Sequence, residues 1–210
     1  MSELLILFIK GLGLGAAVAA PVGPVGALCI RRAVILGRIP AITSGIGAAV
    51  ADAFYGSVAA FGLTAVSAFM IQYQDPAALI GGLFLLWLSF RIVRSSGETA
   101  VPAKTETSKS KLKGFVTTFL LTMTNPVTIL SFIAIFAGIG FINTASGGKS
   151  ASLLVLGVFL GSTLWWVFLA FFATFLQKRL GNHFTSFVNI GSAVIIGLFG
   201  LFTLASLLVS

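Results

Sequence analysis

Apolar stretches long enough to cross a lipid bilayer follow one another along most of this 210-residue chain. A membrane-spanning helix needs about 20 apolar residues, and six stretches approach that length: 4–30, 41–69, 77–93, 115–140, 151–176 and 186–208. Charged residues make up only 9% of the chain, against about 25% in soluble proteins. So few charges could not cover a water-exposed surface, which excludes a cytosolic enzyme and, despite the net charge of +8, a nucleic-acid-binding protein. The sequence predicts an all-α integral membrane protein.

The basic residues predict how the chain is oriented in the membrane. Cytoplasmic loops carry an excess of Lys and Arg, and most of the 13 basic residues here lie between spans one and two, three and four, and five and six. We therefore expect these three connections in the cytoplasm and both termini outside. The basic residues of the connections are Arg31, Arg32 and Arg38, then Arg91, Arg94, Lys104, Lys109, Lys111 and Lys113, and finally Lys178 and Arg179.

A polar segment at residues 95–114 divides the spans into two sets of three. We interpret it as a cytoplasmic basic linker between a first three-helix repeat, residues 1–94, and a second, residues 115–210, which together form one transport domain. Three spans is an odd number, so the two halves are expected to sit in the membrane in opposite senses. Inverted repeats of this kind are typical of secondary transporters.

The first span of each half carries a proline break. The first break reads Pro21-Val22-Gly23-Pro24 and the second Asn125-Pro126-Val127. Proline interrupts a helix but suits the first position of a new one, so we expect half-helices that begin near the middle of the membrane. Their N-terminal amides carry partial positive charge and suit a carboxylate. The alternative is that both prolines only kink helices for packing.

Asp52 is the only carboxylate inside a predicted span. An acid at the centre of a membrane helix costs about 2.5–3.5 kcal/mol on insertion scales, so it is expected to face the protein interior and to have a function. We expect Asp52 to bind a proton or the ammonium group of a substrate. The alternative is that it pairs with Tyr55 or with backbone groups and only holds helices together.

Other polar and aromatic residues lie near these features. Thr118, Thr122, Asn125 and Thr128 share one face of span four. Trp165 and Trp166 lie near the middle of span five, although tryptophan favours the membrane interfaces, and the sequence leaves open which of them faces a cavity. Packing between helices is the alternative for both groups, and for the small residues of span two around Gly45 and Gly56.

These motifs resemble the lysine exporter (LysE/RhtB-type) family of bacterial amino-acid efflux transporters, over nearly the whole chain. The family's Pro-Gly-Pro-like break with a basic loop is similar to residues 21–37. Its Gly-x3-Gly-Asp element is similar to Gly47-x3-Ala51-Asp52 with Tyr55 after it, and its Asn-Pro element to Asn125-Pro126. The chain departs from the family at Ala51, where glycine is usual, and at Ser131, where a second phenylalanine is common. The resemblance implies proton-driven export of amino acids or close derivatives across the bacterial inner membrane.

Together the residues and the resemblance predict a secondary transporter without cofactor or metal, surrounded by membrane lipids, in which Asp52 couples export to proton entry. A single cysteine, Cys29, excludes a dithiol redox carrier. An intramembrane hydrolase would need a Ser–His pair, paired aspartates or a histidine-rich metal site inside the bilayer, and no predicted span holds one. A divalent-cation exporter and a non-transporting assembly partner remain alternatives. The amino acid carried, coupling to H⁺ or Na⁺, and homodimer formation stay open. The candidate substrate-binding residues are Pro21, Gly23, Pro24, Val25, Asp52, Tyr55, Thr122, Asn125, Pro126, Val127, Thr128, Trp165 and Trp166.

Overall fold

The computed structural model describes residues 2–62, 64–95, 108–125, 128–129, 131–132 and 148–208, and within these ranges the chain is helical and contains no strand. The final helical segment, Gly148–Ser206, is broken at Gly181, where φ is 63° and ψ is −145°. The all-α class is therefore confirmed. The helices are α1 (Ser2–Ala19), α2 (Pro24–Leu36), α3 (Arg38–Ala60), α4 (Thr64–Gln72), α5 (Gln74–Ser95), α6 (Ser108–Met123), α7 (Gly148–Gly181) and α8 (His183–Ser206).

Three of the described helices are long and apolar enough to cross a membrane by themselves: α5, α7 and α8. The pair α1 and α2 adds a fourth crossing if it is taken as one span, bent by 83° between the two helices. The chain is thus a multi-pass membrane protein. The arrangement of six spans in two inverted repeats stays a prediction, because the second part of the fourth predicted span, residues 133–140, lies outside the described residues.

The bend between α1 and α2 falls at the first predicted break. Helix α2 begins at Pro24, with Gly23 as its N-cap. It continues to Leu36, so Arg31 and Arg32 belong to a helix and not to the loop in which we expected them. The loop prediction was wrong because arginine is a good helix former, and both side chains find oxygen acceptors on neighbouring helices. Arg31 donates to Asn189 over 2.7 Å, and Arg32 donates to Ser44 and to the carbonyl of Gly114.

Three other predicted boundaries also shift. The second predicted span, 41–69, is divided, because α3 ends at Ala60 and Gly62 adopts a positive φ of 61°, a conformation that commonly ends helices. Helix α6 begins at Ser108, inside the predicted linker, since lysine is a good helix former. Lys178 and Arg179 lie in α7 instead of a loop, and Arg179 stacks on Phe175 at 4.9 Å from the ring centroid.

Small residues allow the helices around α3 and α7 to pack closely. Gly11 and Gly15 of α1 face Gly157 and Gly161 of α7, and a β-carbon at Gly15 would collide with the backbone of Val158 and Ser162.

The glycines of α3 allow similarly close contacts. Gly45 lies against Trp166, Gly56 against Val158, and Gly47 against the backbone of Phe115 on α6. Such small-residue contacts are the usual way for membrane helices to approach one another.

Candidate functional site

A cavity of about 50 Å³ lies at the break between α1 and α2 and is closed by α3, α7 and the end of α6. The structure brings nine of the candidate residues to its wall. Four residues that the sequence did not single out as candidates for binding also line it: Val18, Ala19, Gly26 and Ala48. The nine candidates are Pro21, Gly23, Pro24, Val25, Asp52, Thr122, Asn125, Thr128 and Trp166.

The N-terminus of α2 forms one side of this cavity. The amide of Gly23 donates to the carbonyl of Pro21 over 2.9 Å, and the amide of Ala27 donates to Gly23 over 2.9 Å. Pro24 has no amide hydrogen, and no side chain caps this end of the helix. The amides of Val25 and Gly26 therefore have no hydrogen-bond acceptor within the helix. Their partial positive charge, reinforced by the helix dipole, lies at the cavity wall.

The second predicted break forms another part of the wall. Helix α6 ends at Met123, and the carbonyl of Asn125 then accepts the amides of Thr128 at 3.1 Å and Ile129 at 3.2 Å. This is the backbone pattern of an N-cap residue, whose carbonyl accepts the first bond of a new helical turn. Pro126 and Val127, both predicted to bind substrate, lie outside the described residues.

Asp52 lies on the α3 side of the cavity and is only 2% exposed. Its carboxylate accepts a hydrogen bond of 2.7 Å from the hydroxyl of Ser162 on α7. The same hydroxyl accepts a bond of 3.1 Å from the indole nitrogen of Trp166. The indole therefore orients the serine, and the serine orients the carboxylate.

Tyr55 does not pair with Asp52, which was one alternative raised by the sequence. Its hydroxyl donates instead to the carbonyl of Met123 over 2.7 Å. That carbonyl belongs to the last turn of α6, where a helix leaves carbonyls without partners. Tyr55 thus secures the end of α6 beside the break, and its ring borders a second, apolar cavity.

Some of the remaining candidates line the cavity, whereas others only pack against neighbouring residues. Thr122 lines the cavity, but its hydroxyl donates to the carbonyl of Thr118 over 2.9 Å. Thr118 itself links α6 to α3 through the carbonyl of Ser44, at 2.5 Å. Of the two tryptophans, Trp166 lines the cavity, whereas Trp165 packs beside Phe168 with ring centroids 5.6 Å apart.

Sequence reasoning missed Ser162, which contacts both Asp52 and Trp166. The spacing of Ser162 and Trp166 is a partial signal, because residues four apart face each other on a helix. Nothing local relates Ser162 to Asp52, since 110 positions separate them.

Replacing Ser162 by Ala is expected to lower the free energy of unfolding by about 1–3 kcal/mol, because the Asp52 carboxylate and the Trp166 indole would each lose a buried partner. Ser152→Ala is the matched control on the same helix, where an exposed serine bonds only to the carbonyl of Gly148. Thermal unfolding in detergent measures both variants. Equal midpoints would show that the Ser162 contacts contribute nothing to stability.

Comparison with known proteins relates most of the chain to one family. The family model described as "LysE type translocator" matches residues 16–207. "Uncharacterized membrane protein YahN" of Escherichia coli (strain K12) is 26% identical over 176 residues, which cover 83% of this chain and 77% of that protein. "Putative amino acid efflux protein YcgF" of Bacillus subtilis (strain 168) is 28% identical over 165 residues, 76% of each chain. No solved structure matches the chain.

Proposed function

The chain belongs to the LysE type translocator family, and on that premise we propose that it exports amino acids or close derivatives from the cytoplasm in exchange for protons. Family members are transporters and not enzymes, so the protein carries a small molecule across a membrane. The name of the Bacillus subtilis relative, "Putative amino acid efflux protein YcgF", supports the proposed substrate class and direction.

One observation carries the proposal: the same small cavity is lined by the N-terminus of α2 and by the buried carboxyl group of Asp52. The helix terminus offers partial positive charge and amide donors to a carboxylate. Asp52 offers negative charge to an ammonium group. An α-amino acid carries both groups on its α-carbon. A volume of about 50 Å³ is several times the roughly 10–15 Å³ that a single water needs, which leaves room for a charged group larger than water.

Competition at Asp52 would couple export to proton entry. Its hydrogen-bond donor Ser162 contributes a neutral hydroxyl, and a buried carboxylate is costly unless a cation or a proton neutralises it. A proton and a substrate ammonium group would therefore occupy Asp52 in turn. A proton arriving from outside displaces the ammonium group. The protonated carrier then turns towards the cytoplasm and releases the proton there, and the free carboxylate binds the next substrate.

The halves at residues 1–94 and 115–210 would move against each other to expose this site alternately to the two sides. We place the protein in the bacterial inner membrane, among its lipids, with both termini outside and the basic connections in the cytoplasm. The proposal names protons because the carboxyl group of Asp52 can bind a proton without any further ligand.

Export of a divalent cation is the second candidate. Such an ion requires several carboxylate, imidazole or thiolate ligands. In the described part of the chain, no three residues of the types His, Cys, Asp and Glu come together. That observation favours the amino-acid substrate.

Counterflow in proteoliposomes tests the proposed substrate class. Purified protein is reconstituted with unlabelled alanine inside, and labelled alanine is offered outside. We expect saturable exchange that excess alanine suppresses, whereas propionate and alaninamide, which each lack one charged group, compete at least about tenfold more weakly. Exchange of divalent cations without exchange of any amino acid would overturn the proposal, as would the absence of saturable flux from folded protein.

A further inference from the structure

A second cavity, of about 60 Å³, lies one helical turn along α3 from the first. Its described lining is apolar apart from the hydroxyl of Tyr55, which is already bonded to Met123. Ile71, 57% exposed, stands at its outer edge. The side chains that form its body are Tyr55, Val58 and Ala59 of α3, Met70 of α4, and Ile129 and Phe132 beyond the second break.

The two cavities share their dividing wall. Asp52 borders the polar cavity and Tyr55 the apolar one, three residues apart on α3, which is a rise of about 4.5 Å. After the second break, Thr128 lines the polar cavity and the next residue, Ile129, lines the apolar one. Val18 lines the polar cavity and packs against the hydrophobic cluster around Tyr55. The two cavities are therefore neighbours, separated by about one helical turn along α3.

We propose that the apolar cavity receives the side chain of the transported amino acid, and that the protein therefore selects aliphatic and thioether amino acids over basic and acidic ones. This inference rests on the proposed function, because it needs the charged main-chain end to sit at Asp52 and the α2 terminus. A volume of about 60 Å³ is several times the roughly 10–15 Å³ that a single water needs, so the cavity has room for an apolar group of more than one atom.

The chemistry of the wall sets the selectivity. A lysine or glutamate side chain would leave its hydration shell and find no opposite charge among the described lining residues, which is costly. An aliphatic side chain would contact Ile129, Met70 and the ring of Tyr55. That ring is held in place by Phe132, whose centroid lies 5.5 Å away, and by the hydrogen bond to Met123.

Counterflow with a panel of labelled amino acids tests the inference. The wild-type protein is expected to exchange leucine and methionine with a KM at least about tenfold lower than that for alanine, and lysine and glutamate more weakly than alanine. Ala59→Leu fills the cavity and should raise the ratio of the leucine KM to the alanine KM about tenfold. Ala53→Leu, the same change on α3 at a position that lines neither cavity, should leave that ratio unchanged.

Met70→Ala enlarges the cavity and should improve exchange of phenylalanine relative to leucine, a gain that misfolding cannot produce. The inference is overturned if lysine or glutamate is the preferred wild-type substrate, or if Ala59→Leu and Met70→Ala leave the selectivity unchanged while amino acids are still exchanged. No exchange of any amino acid by the wild-type protein would instead overturn the proposed function itself.

Discussion

Asp52→Asn is expected to abolish proton-coupled amino-acid transport, with a loss of at least about a hundredfold in coupled flux. Asparagine has nearly the shape of aspartate, and its carbonyl oxygen can still accept the hydrogen bond from Ser162, so the site should keep its form. It can neither take up a proton nor carry negative charge. Removing one partner from a buried charge pair costs about 3–5 kcal/mol, which corresponds to more than a hundredfold in binding of the substrate ammonium group.

Asp75→Asn provides the matched control, because it makes the same chemical change at an exposed carboxylate in the first turn of α5. Both variants are compared with wild type as uptake into proteoliposomes under an imposed pH gradient, normalised to the amount of folded protein. Asp75→Asn should behave as wild type. Full coupled transport by Asp52→Asn would show that Asp52 takes no part in the mechanism and only holds α3 against α7.

Gly15→Ala is expected to be strongly destabilising although it adds a single methyl group. Its β-carbon would fall on the carbonyl of Val158 and close to the amide of Ser162, which are backbone atoms of α7 that cannot rotate away. Helix α1 would have to move off α7, and overpacking of this kind costs about 1–3 kcal/mol or more. Because Ser162 also bonds to Asp52, the shift should lower transport as well as stability.

Gly13→Ala on the same helix separates this steric effect from helix propensity. A β-carbon at Gly13 would meet nothing within 4 Å, and alanine favours helix over glycine by about 1 kcal/mol. Gly13→Ala should therefore unfold at the wild-type temperature or above it, and Gly15→Ala well below it, when both are heated in detergent. Equal unfolding temperatures would contradict the close crossing of α1 and α7.

The sequence was sufficient to predict features that depend on local chemistry. The start of α2 at Pro24 follows from the preference of proline for the first turn of a helix. The burial of Asp52 follows from the cost of a lipid-facing acid. In both cases the chemistry of a single residue restricts the structure of the helix that contains it.

Features that depend on contacts between distant segments were not predictable. The partners of Arg31 and Arg32 lie on other helices, α3, α6 and α8. The link from Asp52 to Ser162 crosses between two helices. The choice between Trp165 and Trp166 depends on the rotation of α7, which is fixed where Gly45 admits the side chain of Trp166.

Proton movement that accompanies amino-acid exchange tests the proposed antiport most directly. Vesicles loaded with labelled substrate and a pH-sensitive dye, without Na⁺ on either side, are placed in acidic medium. We predict that substrate leaves faster than at equal pH, that the lumen acidifies only when substrate is present, and that a protonophore removes the acceleration. Substrate efflux that ignores the pH gradient, or that requires Na⁺, would contradict proton antiport.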